Sequence, residues 1–367
     1  MGFFVSTFVF YAAGYTLLPT LPLILSARGA SPAGVGLVMG AFTASALLFR
    51  APVGMLLARR HPLPLMRFGQ AAVGAGFLAY LAAGLWPVAL GRVVQGVGLA
   101  LFNTAAYVYL AERGGRARRA ELISLFGLAA NVAMAVAPAL GSLVRERFGD
   151  EALFGTGLGL AAVGLASIPR GAGAVRPTGV ARLWEPRAWR PAAAMLGLAT
   201  GYGTVMVFVP LAVQGAGLSH GWMFFTAYAA AIVATRLVTR RWLDRGSRLR
   251  WAAGGAVLMV AALGVLGLAR AWPAFFAAAG LFGVGVGVGH PSLMAYLLET
   301  VPDEFRSGAA ALGTSAFDLG TAGGAALGGL VAGAVSLATA FAGSALLSAV
   351  LWLPLVAQRR RTPNAER

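Results

Sequence analysis

Three ionisable side chains stand where an apolar chain should carry none: Arg92, His290 and Asp318. Each lies several residues inside a run built mainly of Ala, Gly, Leu and Val. A charge at bilayer depth is costly; such residues face an internal cavity and mark substrate pathways or proton relays. A carboxyl such as Asp318 can carry a proton or meet a cationic ligand. A histidine such as His290 is a proton-transfer group by chemistry. A guanidinium such as Arg92 keeps its charge and orders the acceptors around it. Asp318 and His290 are the proton-coupling candidates on these grounds, and Arg92 reads as cavity lining. The packing alternative stays open for each: an aspartate or histidine bonded to a neighbouring helix, or an arginine bonded to carbonyls.

Uncharged polar residues mark the same surfaces. Arg92 and Asn103 are eleven apart and share one face of a helix turning about 100° per residue, with Gln95 beside them. Tyr11 and Tyr15 share a face at i, i+4, ahead of Pro19 and Pro22, which imply an irregular end to that helix. Asn131 is polar at a depth similar to that of Asp318, which lies ~16 Å into its run at ~1.5 Å per residue. Tyr11, Tyr15, Gln95, Asn103 and Asn131 are therefore candidate walls of a substrate cavity.

Enzyme chemistry finds little to work with. The chain has no cysteine and only His61, His220 and His290, none paired at metal-ligand spacing. Lysine is absent, so no glycine-rich phosphate loop ends in lysine. The run Gly283-Val284-Gly285-Val286-Gly287-Val288-Gly289 imitates a dinucleotide loop but lies within an apolar span. No catalytic residue, metal site or cofactor is expected.

The elements that must position these residues are set by composition. Of 367 residues, 59% are hydrophobic and 11% charged, with a mean hydropathy of +0.77. Soluble chains carry ~25% charged residues. A membrane helix needs ~20 apolar residues. Twelve spans emerge, near 3–26, 33–57, 68–87, 88–111, 122–144, 152–168, 191–214, 220–238, 251–270, 273–297, 307–333 and 338–357. The first is too long for a signal-peptide core and lacks a basic start. Trp86-Pro87 is the break between the third span and the fourth. The fold expected is an all-α membrane protein of about twelve transmembrane helices in two pseudo-symmetric six-helix bundles. These are residues 1–168 and 191–357, with a Gly-, Pro- and Arg-rich cytoplasmic linker at 169–190 and a tail at 358–367.

All 29 basic residues are arginine. With both termini cytoplasmic, 22 arginines face the cytoplasm, 4 the other side, and Arg50, Arg92 and Arg236 fall in or at the ends of spans. That asymmetry is a positive-inside signal. It explains a net charge of +17 without nucleic acid, since arginine rows meet anionic lipid headgroups.

The chain also repeats itself. A shift of 186 brings Arg50 onto Arg236 and Arg59 onto Arg245. A shift of 187 brings Asn103 onto His290, Tyr109 onto Tyr296, Glu112 onto Glu299, Arg119 onto Arg306 and Asn131 onto Asp318. Duplicated halves of equal topology are the plan of one large class of transporters, whose site lies near the midplane.

Four stretches resemble the major facilitator superfamily, and the resemblance spans essentially the whole chain. After its second helix the family has G-x-x-x-D-R-x-G; here stands Gly54-Met55-Leu56-Leu57-Ala58-Arg59-Arg60-His61, without the aspartate. The second-half copy, Trp242-Leu243-Asp244-Arg245-Gly246, keeps it. Arg92-Val93-Val94-Gln95-Gly96-Val97-Gly98 matches the family's fourth-helix R-x-x-Q-G-x-G, and Ala137-Pro138-Ala139-Leu140-Gly141 nearly matches the exporters' G-P-x-x-G. Phe317-Asp318-Leu319-Gly320 resembles small bacterial efflux permeases.

The resemblance implies a secondary active transporter in the cytoplasmic (inner) membrane of a prokaryote. It would move a small molecule by alternating access, by proton-coupled export, with Arg92 in proton coupling or substrate-site charge. Arg59, Asp244 and Arg245 would form a cytoplasmic gate, made asymmetric by Ala58. Expected partners are the substrate, protons and membrane lipids, and a monomer suffices. Proton-coupled or facilitative uptake of a sugar or metabolite, and translocation of a lipid-like substrate, remain alternatives.

Overall fold

The computed structural model describes residues 2–57, 59–82, 84–169, 185–239 and 247–361. Side chains are described for these residues except 111, 112, 114–121, 123, 124, 303, 307 and 356–361. Among the described residues the chain is helical, without a strand. Helices α1 (Gly2–Thr16) and α2 (Leu21–Ala27) form the first span, interrupted at Leu17–Thr20 where Pro19 cannot donate to the ladder. Then follow α3 (Pro32–Leu57), α4 (Pro62–Tyr80) and α5 (Leu85–Ser167). A 3-10 turn at Pro186–Ala188 leads into α6 (Trp189–Gly215). Next come α7 (Trp222–Thr239), α8 (Arg248–Leu268), α9 (Trp272–Thr300), α10 (Arg306–Ala334) and α11 (Leu337–Arg361).

Nine described stretches are long and apolar enough to cross a membrane. One of them, Leu125–Ser167, has 43 residues. At ~1.5 Å per residue it is about twice the ~30 Å hydrocarbon core, so it must turn back. It does so at Gly149, whose φ of +86° is open to glycine and strained for other residues. An ion pair of 2.8 Å between Arg145 Nε and Asp150 Oδ1 spans that turn. With this stretch counted as two passes, and with α4 (19 residues) and α10 (29 residues) added, the described helices make twelve passes.

The third span sits earlier than its hydropathy indicates. It runs over Pro62–Tyr80, capped at its start by His61, whose Nδ1 accepts the N–H of Leu63 at 3.3 Å. Arg67 and the prolines lower the hydropathy of its first turns, which hid them. The break before the next span is at Leu81–Gly84, where Gly84 has φ +97°, and not at Trp86-Pro87. Pro87 falls in the first turn of α5, where its missing N–H removes no bond. Of the expected linker, residues 170–184 lie outside the described residues, and its last five residues are already helical or in the 3-10 turn.

The chain divides into two compact units. The first holds Met1–Gly179 with His220–Ala229. Its helices approach closely where glycine removes the side chain. Gly69 of α4 lies against the backbone of Gly98 in α5, and Gly96 against the Phe42 carbonyl of α3. The Ser45 hydroxyl, donating to the Val93 carbonyl at 3.0 Å, ties α3 to α5. Small residues at helix contacts are the usual means of packing in lipid, where apolar burial supplies no drive between helices.

The second unit holds Val180–Ser219 and Ala230–Arg367. Gly320 and Gly324 of α10 lie on the backbone of α6 at Leu196 and Thr200. The Thr204 hydroxyl bonds the Gly324 carbonyl at 2.9 Å and the Ser344 hydroxyl at 2.7 Å, and Ser348 donates to the Gly197 carbonyl at 2.7 Å. These bonds join α6, α10 and α11.

Candidate functional site: polar clusters inside two helical units

Three polar clusters are buried in the spans. The first surrounds Arg92, which is 5% exposed near the start of α5. Its Nη1 donates to Gln95 Oε1 at 3.3 Å, and the same oxygen accepts the Tyr80 hydroxyl of α4 at 2.5 Å. Gln95 Nε2 donates to the Val73 carbonyl at 3.4 Å. The guanidinium lies 4.2 Å from the Phe42 ring centroid, a cation–π contact that offsets part of the lost hydration. Arg92 Nε is buried without a hydrogen-bond partner among the described residues. A cavity of about 450 Å³, edged by Arg28, Asp150, Glu151 and Phe154, reaches Tyr80. Arg92 and Gln95 are thus brought together, and both the oxygen and the nitrogen of the Gln95 amide bond protein groups.

The second cluster lies farther along α5. Tyr11 donates to Asn103 Oδ1 at 2.6 Å. The Tyr11 and Tyr15 rings stack with centroids 5.7 Å apart. Phe126 meets Tyr11 at 5.9 Å and Tyr107 at 5.1 Å, both edge-on. The Arg50 guanidinium of α3 is within electrostatic reach of both Tyr11 and Tyr107. Asn131 is half-buried on the same long α5. Arg92 and Asn103 share a helix face, yet eleven residues separate them by ~16 Å along the axis, so they serve different clusters.

The third cluster belongs to the second unit. Asp318 is 7% exposed on α10, twelve residues past its start. Phe317, next in sequence, packs edge-on against His290 of α9 at 4.9 Å and at a tilt against Tyr202 of α6 at 5.4 Å. Tyr202 also stacks on Phe282 at 6.2 Å. Arg236 of α7 lies within electrostatic reach of His290. Among the described residues no group of three or more His, Asp or Glu could hold a metal ion.

Four contributors were passed over in the sequence. Arg50 and Arg236 are equivalent under the 186-residue repeat, and each faces a cluster in its own unit. That coincidence, an arginine kept inside both copies of one span, was a readable signal. Tyr202 is the repeat mate of Tyr15 at 187 residues. Tyr107, one turn beyond Asn103, followed from helix periodicity. Of the expected gate, Arg59 is exposed just after α3, while Asp244 and Arg245 lie outside the described residues. Glu299 pairs with Arg248 at 3.4 Å within its own unit.

Polytopic helices with buried charges and aromatic walls are the architecture of a membrane transporter. The family model of the Major Facilitator Superfamily matches residues 3–269 and, overlapping, 192–367, and the chain belongs to that family. It is a transporter, not an enzyme. The chain is 25% identical to the staphylopine export protein of Staphylococcus aureus, over 91% of this chain and 88% of that protein. It is 27% identical to the MFS-type transporter YhhS of Escherichia coli, over 92% of this chain and 86% of that one. The crystal structure of a POT family transporter superposes with a TM-score of 0.82 at 10% identity, covering 98% of this chain and 96% of that one. That likeness is one of fold.

Proposed function

We propose that this protein is a proton-coupled exporter of a small organic molecule, working by alternating access in a prokaryotic cytoplasmic membrane with both termini inside. The observation that carries the reading is Asp318, the one acid buried among the described residues, at 7% exposure, next in sequence to Phe317, which packs on His290 and Tyr202. An ionisable group so placed is retained at a cost, and proton relays are built from such acids and histidines. The full-length likeness to a protein named for export supports the direction. The arginine asymmetry supports the orientation. In this reading Arg92, with Gln95 and Tyr80, sets the charge of the first bundle. Asp318, with His290, exchanges the proton. The cytoplasmic Arg59, Asp244 and Arg245 take part in closing the inner side.

The test is solute flux in proteoliposomes under an imposed pH gradient. Export predicts proton-driven accumulation by inside-out vesicles, lost in Asp318→Asn while the variant keeps its thermal unfolding profile. Accumulation by right-side-out vesicles would favour uptake of a sugar or metabolite. Wild-type, gradient-driven flux by Asp318→Asn would remove the proposed role of that residue.

A further inference from the structure

Three turns close one end of the first unit: Arg28–Gly29 after α2, Leu81–Gly84 after α4, and Gly149 within α5. They follow the first, third and fifth passes, so they share the end opposite the arginine-rich links. Each carries a glycine in the left-handed region, Gly29 at φ +86°, Gly84 at φ +97° and Gly149 at φ +86°. Residues of all three turns line the cavity of about 450 Å³. Pockets for small molecules run from ~300 to ~1,000 Å³.

Charges of both signs line this cavity. Arg28 is half-buried, and its Nη1 donates to the Gly84 carbonyl at 3.4 Å. Its guanidinium lies 6.0 Å from the Phe154 ring centroid. One long bond leaves most of a guanidinium's five donors for a ligand. Asp150 is taken by Arg145 at 2.8 Å, a bond that also holds the Gly149 turn. Glu151 is exposed, with no hydrogen bond or ion pair among the described residues. Arg28 and Glu151 thus line one cavity without pairing with each other.

A guanidinium fits a carboxylate in two parallel bonds, and a carboxylate accepts from an ammonium. A ligand that is only anionic would also face Glu151, and one that is only cationic would face Arg28. Such like-charge contacts discriminate against both. Two rings flank the charges, Phe154 at 1% exposure and Phe148 at 72%. They give an apolar side chain a surface to pack on.

We propose that this cavity binds a zwitterion of amino-acid type: Arg28 takes the carboxylate, Glu151 the ammonium, and Phe148 and Phe154 the side chain. Tyr80 forms the inner wall, and its hydroxyl donates to Gln95 Oε1 at 2.5 Å, so an occupant sits one residue from the Arg92 cluster. The site is separate from Asp318 and His290. It stands on the cavity, whatever the direction or coupling of transport.

The experiment uses one para-fluorinated scaffold in three charge states: phenylalanine (zwitterion), N-acetylphenylalanine (anion) and phenylalanine amide (cation). Each is titrated into the full-length protein in phosphatidylglycerol nanodiscs, with binding followed by fluorine NMR line broadening. Phenylalanine should bind more tightly than either other probe. Arg28→Gln should weaken phenylalanine and the anion ~10-fold and leave the cation unchanged or improved. Glu151→Gln removes an exposed charge, so it should weaken phenylalanine and the cation by only ~3–5-fold and spare the anion. Arg28→Lys should recover part of the loss. Glu299→Gln, in the second unit, should change nothing.

The reciprocal pattern is what a merely structural role would not produce. Equal affinity for the three probes, no binding of phenylalanine, or the same loss for all probes in Arg28→Gln and Glu151→Gln would each overturn the proposal. A lipid headgroup with an ammonium and a phosphate has the same chemistry, so the titration is repeated with phosphatidylethanolamine in the nanodisc. Displacement of phenylalanine by that lipid, lost in Glu151→Gln, would assign the site to the headgroup in place of the free amino acid. Unchanged phenylalanine affinity would support the free zwitterion.

Discussion

The Arg92–Gln95–Tyr80 cluster allows a direct test of what holds a buried cation. Gln95 Oε1 accepts from Arg92 Nη1 at 3.3 Å and from the Tyr80 hydroxyl at 2.5 Å, and all three side chains are buried. Gln95→Leu keeps most of the volume and removes both acceptances. The guanidinium then keeps its Phe42 contact but loses a neutral acceptor, and Tyr80 loses its partner. A hydrogen bond to a charged group is worth ~1.5–3 kcal/mol, and an unsatisfied buried hydroxyl costs ~1–3 kcal/mol. The expected loss is about 3–5 kcal/mol. With ~2.1 cal/mol/K of unfolding entropy per residue, the 367 residues give a fall in Tm of roughly 4–6 °C. Arg92→Leu alone removes the cation and should cost less. The double variant Arg92→Leu/Gln95→Leu should be no worse than Gln95→Leu alone, because the stranded charge is gone. Thermal unfolding followed by tryptophan fluorescence in one detergent supplies the cycle. Strict additivity of the two single changes would refute the coupling and the reasoning behind it.

Other outcomes follow from neighbouring contacts. Gly323 has open space where a Cβ would stand, whereas a Cβ on Gly324 would overlap the Thr200 carbonyl of α6. Gly323→Ala should therefore be neutral or stabilising by up to ~1 kcal/mol, and Gly324→Ala should lower Tm by several degrees in the same unfolding assay. Gly149→Ala meets no atom within 4 Å, so its cost is the strain of φ +86° alone, ~1–2 kcal/mol, seen as a modest fall in Tm. Glu299→Gln breaks an exposed pair with Arg248 and should change stability by less than ~1 kcal/mol, with any effect vanishing in high salt.

Hydropathy revealed the passes because lipid imposes length and apolarity on every span. It misplaced the third because Arg67 and the prolines of Pro62–Tyr80 look like a loop to an apolar window, while a helix accepts Pro at its start. The turn at Gly149 and the split first span were written in glycine and proline. The site was legible as a set of polar residues but not as groups. Periodicity put Arg92 and Asn103 on one face, yet only the packing of α1, α3 and α4 against α5 assigns Gln95 and Tyr80 to one and Tyr11 and Arg50 to the other. Arg50 and Arg236 were hidden by sitting near span ends, where arginines are ordinary. Side-chain partners from other helices carry no periodic signature, so they stay out of reach of a single sequence.

The two copies of the repeat have diverged in a definite direction. At two equivalent positions the first copy holds an amide, Asn103 and Asn131, and the second an ionisable group, His290 and Asp318. An amide keeps the hydrogen-bonding geometry of the position and fixes its charge at zero. The first copy is in this sense a natural Asn variant of the second at the Asp318 position. A chain made by duplication can thus alter charge in one half while the other preserves the helical frame. Moving the acid between copies, by Asn131→Asp together with Asp318→Asn, would ask whether the frame or the address of the carboxyl matters more.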